Sequence, residues 1–163
     1  MRAAHRVLGI DPGSHRTGWG IVERRGNSLG LVACGTISPD AKLPLAARLG
    51  AIADALREIC ARERPDAASV ETVFHSVNAR AALVLGQARG AAFAALGASL
   101  PVFEYGPGEI KRAVTGNGRA AKEQVGKMVG ILLGGAPPGD EHACDALAAA
   151  ICHLHRWPNG GIR

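Results

Sequence analysis

The run Gly9-Ile10-Asp11-Pro12-Gly13-Ser14, followed by Thr17-Gly18-Trp19-Gly20-Ile21-Val22, constrains this chain more than any other stretch of its 163 residues. A short apolar strand ends in a single acid, turns through Pro-Gly and returns as a second apolar strand, which reads as a β-hairpin. Such a hairpin holds Asp11 at the centre of a sheet. A carboxylate there is costly to bury unless a cation or hydrogen bonds compensate it, so the acid points to a metal or phosphate site. The same residues also suit a plain tight turn, since Asp, Pro and Gly are what such turns recruit.

The hairpin pattern continues into a third strand before any helical periodicity begins. Strands are expected over residues 6–11, 17–24 and 29–37, a helix over 44–63, a strand over 67–71 and a helix over 78–98. A strand over 101–104, helices over 107–114 and 120–133, a Gly/Pro-rich loop over 134–139 and a last helix over 140–155 complete the order. This alternation describes an α/β fold, a mixed five-stranded sheet flanked by helices. The chain is 47% hydrophobic but only 4% aromatic, so its core must be built from Ala, Val, Leu and Ile. One domain over 1–157 and a flexible tail over 158–163 are expected.

A net charge of +5 and a pI near 9.4 are compatible with a polyanion partner without requiring one. Four cysteines, Cys34, Cys60, Cys144 and Cys152, form no C-x-x-C pair, and Asp11 interrupts the short apolar start, so free thiols in a reducing cytoplasm are expected. The cluster Cys152-His153-Leu154-His155 does not read as a zinc site, because consecutive helical side chains point about 100° apart.

Glu71 ends the apolar run over 67–71, and Asp145 lies in Asp140-Glu-His-Ala-Cys-Asp145 at the start of the alanine-rich last helix. Three acids from distant parts of the chain thus terminate or begin core elements. With Gly86-Gln-Ala-Arg-Gly90, Pro101-Val-Phe-Glu-Tyr105 and Ala121-Lys-Glu-Gln-Val125 in the same order, the chain resembles the RuvC family of Holliday junction resolvases from end to end. The resemblance implies a ribonuclease H-like fold and metal-dependent cutting of four-way DNA junctions by paired symmetric nicks.

It also implies roles for particular residues. Asp11, Glu71, His142 and Asp145 would be catalytic and would hold a pair of Mg²⁺ or Mn²⁺ ions, with Asp11 bridging. The fourth position, three residues before the last Asp, is commonly Asp in the family and is His142 here. Residues three and four apart share a helical face, so Glu141 competes for that role on geometry alone. Phe74 would stack on unpaired bases of the junction, and Lys111, Arg119 and Lys122 would face DNA, with Arg112 and Lys127 adding charge nearby. A homodimer formed through the small-residue helix over 78–98 and a branch-migration helicase complex of RuvA and RuvB type are the implied protein partners.

Two other classes begin in a similar way. Actin-like ATPases and sugar kinases also start with a strand, an Asp and a Gly-containing hairpin, but they need a second such subdomain, and no second hairpin appears in this chain. A catalytically silent ribonuclease H-like module would bind nucleic acid without cutting; the three acids argue against it, and His142 leaves it open.

Overall fold

The computed structural model describes residues 5–72, 78–98, 100–136 and 139–157. Phe74 and the tail over 158–163 lie outside the described residues. Strands β1 (His5–Asp11), β2 (Thr17–Arg25) and β3 (Ser28–Ile37) come first, followed by α1 (Leu45–Glu63) and β4 (Ala67–Glu71). Then come α2 (Ala79–Leu96), β5 (Val102–Tyr105), α3 (Pro107–Thr115), α4 (Lys122–Leu132) and α5 (Glu141–Arg156).

These form one five-stranded sheet of order β3-β2-β1-β4-β5, with β1 at its centre. The first hairpin is as expected: β1 pairs antiparallel with β2, Asp11 opposite Gly18, while β4 runs parallel to β1 and β5 parallel to β4. Element ends differ from the sequence reading by one or two residues, for local reasons. Pro44 and Asn78 are cap positions; the Asn78 side chain accepts from the Ala81 amide at 2.9 Å. Helix α4 starts at Lys122, because the Ala120 amide is spent on Asn117 and Gln124 caps Ala121.

Strand parity divides the core into two. Leu8, Ile10, Ile21, Ala68 and Val70 face α1 and α2, and join Ile52, Leu56 and Leu96 in one cluster. Val7 and Val22 face the other way, toward α3, α4 and α5. Parity therefore turns Gly9, Asp11, Ser69 and Glu71 toward α5.

Helix α5 crosses the sheet obliquely, meeting β2, β1, β4 and β5 in turn. A Cβ on Gly18 would lie 2.0 Å from the His142 carbonyl oxygen, and one on Gly9 would lie 1.7 Å from that of Ala146. One on Gly20 would strike the Leu147 side chain at 2.5 Å. Further along, the buried Ser69 hydroxyl donates to the Ala149 carbonyl at 2.7 Å, and Tyr105 shares a 2.9 Å hydrogen bond with His153. Ala146 to Leu154 are buried, so the helix lies in a trough cut by missing side chains. Among the described residues no helix is long and apolar enough to cross a membrane.

Candidate active site

Asp11 and Glu71 end two adjacent parallel strands, each one residue beyond the last β1–β4 pair, Ile10 with Val70. Parity gives both the α5 face. Carboxyl ends of neighbouring parallel strands are where open α/β sheets place ligands. The third acid arrives on α5, whose phase is set by its first residues. Asp140 is the N-cap, accepting from the His142 and Ala143 amides at 3.1 and 3.2 Å. Its Oδ1 also accepts from the Thr36 hydroxyl at 2.5 Å, and its Oδ2 lies 3.7 Å from Arg16, which ties the helix start to β3 and the hairpin loop.

With the phase so fixed, His142 turns inward and Glu141 outward. His142 Nδ1 sits 3.1 Å from Asp11 Oδ2, both side chains about one-third exposed at 30% and 32%. Glu141 is 64% exposed and reaches Lys122 Nζ at 3.1 Å; the same ammonium meets Asp145 Oδ2 at 3.0 Å. The two candidates that helical spacing left equivalent thus have different neighbours. Glu71, Lys111, Lys122 and Asp145 line a cleft of about 230 Å³, floored by Ile110, Val125 and Ala148.

Electrostatics tie these groups together. Burial pushes the Asp11 carboxyl above its ordinary range; the hydrogen bond from His142 opposes this, and the Asp145 charge adds to it. Glu71 is pushed up by burial and then by Asp11 and Asp145, with Lys111 and Lys122 pulling the other way. Lys122 is held above the usual lysine value, chiefly by its hydrogen bond to Asp145 and also by Glu141.

The expected four-residue metal shell is not gathered in this arrangement. Among the described residues no three His, Cys, Asp or Glu side chains converge closely enough to hold a metal ion. Like charges repel, and Asp145 and Asp11 take the nearest internal partners, Lys122 and His142. The donor set nonetheless suits a hard divalent cation: three carboxylates feel one another's charge, with Lys122 and His142 as their internal partners.

The basic residues separate. Lys111 and Lys122 belong to the cleft. Arg119 is exposed in the turn before α4, its amide bonded to Asn117 Oδ1 at 3.0 Å, and it does not line the cleft. Arg112 is exposed beside Gly118, and Lys127 lines a different groove on α4 with Gly130 and Ile131. Lys127 was expected near the cleft; five helical residues from Lys122 amount to about 140° of rotation, which carries it to another face.

Sequence reasoning missed the packing role of Gly9, Gly18 and Gly20, taken only as hairpin formers. Their period-two spacing opposite an alanine-rich helix was the available signal. It also missed Asp140 as the cap that sets the phase of α5.

A mixed sheet of this order, with acids at two central strand ends and on the helix that crosses them, is the ribonuclease H-like fold. The family model for crossover junction endodeoxyribonuclease RuvC matches residues 7–153. The chain is 56% identical over 151 residues to that enzyme from Anaeromyxobacter dehalogenans (strain 2CP-C), covering 92% of this chain and 80% of the relative. It is 47% identical to the one from Agrobacterium fabrum, covering 100% of this chain and 95% of the relative. The structure of T. thermophilus RuvC in complex with Holliday junction substrate superposes with a TM-score of 0.87 at 36% identity, covering 93% of this chain and 94% of that one. The chain belongs to the RuvC family of crossover junction endodeoxyribonucleases.

Proposed function

We propose that this protein binds four-way DNA junctions as a homodimer and cuts two like strands by paired symmetric nicks, leaving 5′-phosphate and 3′-hydroxyl ends. The observation that carries this reading is a cleft lined by Glu71 and Asp145 together with Lys111 and Lys122, beside the neighbouring strand end that carries Asp11. Asp11, Glu71, Asp145 and His142 would hold two Mg²⁺ or Mn²⁺ ions, which when bound supply an activated water and neutralise the charge that develops on the phosphate. Lys122, drawn off Asp145, and Lys111 at the rim would then bind and orient the scissile phosphate. His142 would add one imidazole nitrogen to the site, and its hydrogen bond holds Asp11 in place.

Helix α2 supports the dimer. Leu83 is 70% exposed, and among the described residues a Cβ on Gly86 or Gly90 would touch nothing within 4 Å, so no described neighbour calls for glycine there. A helical glycine costs about 1 kcal/mol relative to alanine, and close approach of a second subunit gives that cost a reason. Phe74, three positions after Glu71 in the sequence, would stack on junction bases, and the exposed Arg119 would meet a junction strand outside the cleft. A helicase complex of RuvA and RuvB type is the expected partner in branch migration, in the bacterial cytoplasm.

The test is a synthetic mobile four-way junction incubated with purified protein and Mn²⁺ or Mg²⁺. Paired nicks at symmetric positions, religatable without processing, are expected. Binding without cutting, in either metal and across many junction sequences, would sink the reading and leave a silent junction-binding module.

A further inference from the structure

Arg89 lies in the middle of α2, behind the sheet as seen from the cleft, yet its guanidinium grips the residue that ends β4. Nη1 donates to the Glu71 carbonyl at 2.5 Å, and Nη2 pairs with the Glu104 carboxylate on β5. The guanidinium carbon lies 5.2 Å from the centre of the Phe93 ring, and the side chain is only 15% exposed. The β1–β4 ladder stops at Ile10 and Val70, so the Glu71 carbonyl stands one residue past it and takes an arginine as partner. On the β5 side the strand is held by the Thr72 amide on the Tyr105 carbonyl at 2.8 Å.

This grip falls at the last residue of β4, one position past the end of the β1–β4 ladder, where the strand end could otherwise swing away from β1. A planar fork that spans a backbone carbonyl and a carboxylate resists that motion from the opposite face, and a lysine could satisfy only one of the two. We propose that Arg89 is a positioning residue for Glu71: by fixing the end of β4 from behind the sheet, it keeps the Glu71 carboxylate aimed into the cleft. The inference rests on the reading of Glu71 as a metal-holding residue.

The experiment uses the full chain with Arg89→Ala, Arg89→Lys, Glu104→Gln and, as reference, Glu71→Gln. For each, Mn²⁺ binding is measured by calorimetry without DNA, the Mn²⁺ midpoint of cutting on a synthetic junction, junction affinity without divalent metal, and Tm. Removing a residue that orients a metal ligand typically costs about 10–100-fold in metal affinity or activity. Arg89→Ala should therefore raise both the calorimetric Kd and the cutting midpoint for Mn²⁺ by about tenfold, with junction affinity changed less than about twofold. Arg89→Lys should recover part of the loss. Should Arg89→Ala fail to fold, Arg89→Lys and Glu104→Gln carry the test, each expected to shift the Mn²⁺ midpoint by roughly threefold. Unchanged Mn²⁺ binding and midpoint in the folded variants, with only a lower Tm, would overturn the proposal, as would junction binding lost in parallel with cutting. If Glu71→Gln itself cuts with the wild-type Mn²⁺ dependence, the reading of Glu71 fails. If Glu71→Gln is inactive while the Arg89 variants keep the wild-type midpoint, the Arg89 inference alone fails.

Discussion

At the start of α5, His142 is 30% exposed and shares its hydrogen bond with the carboxylate of Asp11; about three turns later, His153 is 2% exposed and shares one with the Tyr105 hydroxyl. Near His142 lie Asp11 and Glu71, which burial and mutual repulsion push upward and which His142, Lys111 and Lys122 partly compensate. Around His153 sit Phe103, Tyr105 and His5, and burial drives the imidazole down to about 4, with His5 adding to the effect. One helix thus has a sealed end that contributes stability and an open end that stores unfavourable charge. The unfavourable charge at the open end is offset by the rest of α5, whose residues from Ala146 to Leu154 are buried against the sheet.

The sharpest way to break this contrast is at the open end. Asp11→Asn and Asp145→Asn should each lower junction cutting by about 10³-fold or more, equivalent to ~4 kcal/mol of activation energy, with junction affinity nearly unchanged. Single-turnover cutting and a binding titration without metal check this; affinity falling in parallel would mean that these acids hold the fold together.

The trough under α5 should be far less forgiving than the acids. Gly9→Ala places a methyl 1.7 Å from the Ala146 carbonyl oxygen, so helix and sheet must part, at a cost of about 3 kcal/mol or more. Denaturant unfolding should register it, and a fully stable Gly9→Ala protein would show that α5 does not depend on that close approach.

The sealed end predicts an acid limb. A histidine whose folded pKa lies below its unfolded value contributes stability that is present above the unfolded pKa and is lost as pH falls through the folded one. For His153 the window runs from 6.5 down to about 4, and the loss is on the order of 3 kcal/mol. In His153→Gln, which keeps a hydrogen-bonding partner for Tyr105 but cannot titrate, that part of the slope should vanish from unfolding curves taken at successive pH values.

Asp11 gives the opposite sign. Its folded pKa is raised, chiefly by burial, so its favourable contribution is present below the unfolded pKa and lost as pH rises through the folded one. Asp11→Asn should therefore raise the Tm of metal-free protein at neutral pH, with the gain shrinking as pH drops through the carboxylate range. A lower Tm at pH 7 would contradict the idea of stored charge.

The smallest effect separates His142 from Glu141. With an imidazole in place of a fourth carboxylate, Mn²⁺ should support faster cutting than Mg²⁺, and His142→Asp should narrow the gap by a few-fold. Glu141→Gln should cost little. If Glu141→Gln is the inactive variant and His142→Ala cuts normally, Glu141 is the fourth ligand.

Much of this was legible along the chain because it is local. The Asp11 hairpin, the three leading strands and the order of the helices follow from alternation, turn residues and 3.6-residue periodicity, and they appear with ends shifted by one or two residues. Strand parity from the cores of β1 and β4 then carries Asp11 and Glu71 to one face. Which of Glu141 and His142 turns toward Asp11 was not legible, since both flank Asp145 on the helical surface. The side chains that decide it, Thr36 and Arg16, lie more than a hundred positions from the cap that they hold. Arg89 was equally silent, its partners being a backbone carbonyl and a carboxylate on two other elements.

By itself the sequence determined which segments become strands and helices and which of them end in an acid, because backbone propensity, turn chemistry and side-chain periodicity act over a few residues. Only the tertiary structure decided how deeply α5 sinks between Gly9, Gly18 and Gly20, which of its first residues faces Asp11, and that Lys122 rather than Lys127 enters the cleft. Those outcomes depend on steric contact and Coulomb interaction between atoms that are distant along the chain, and neither has any value until the chain has folded.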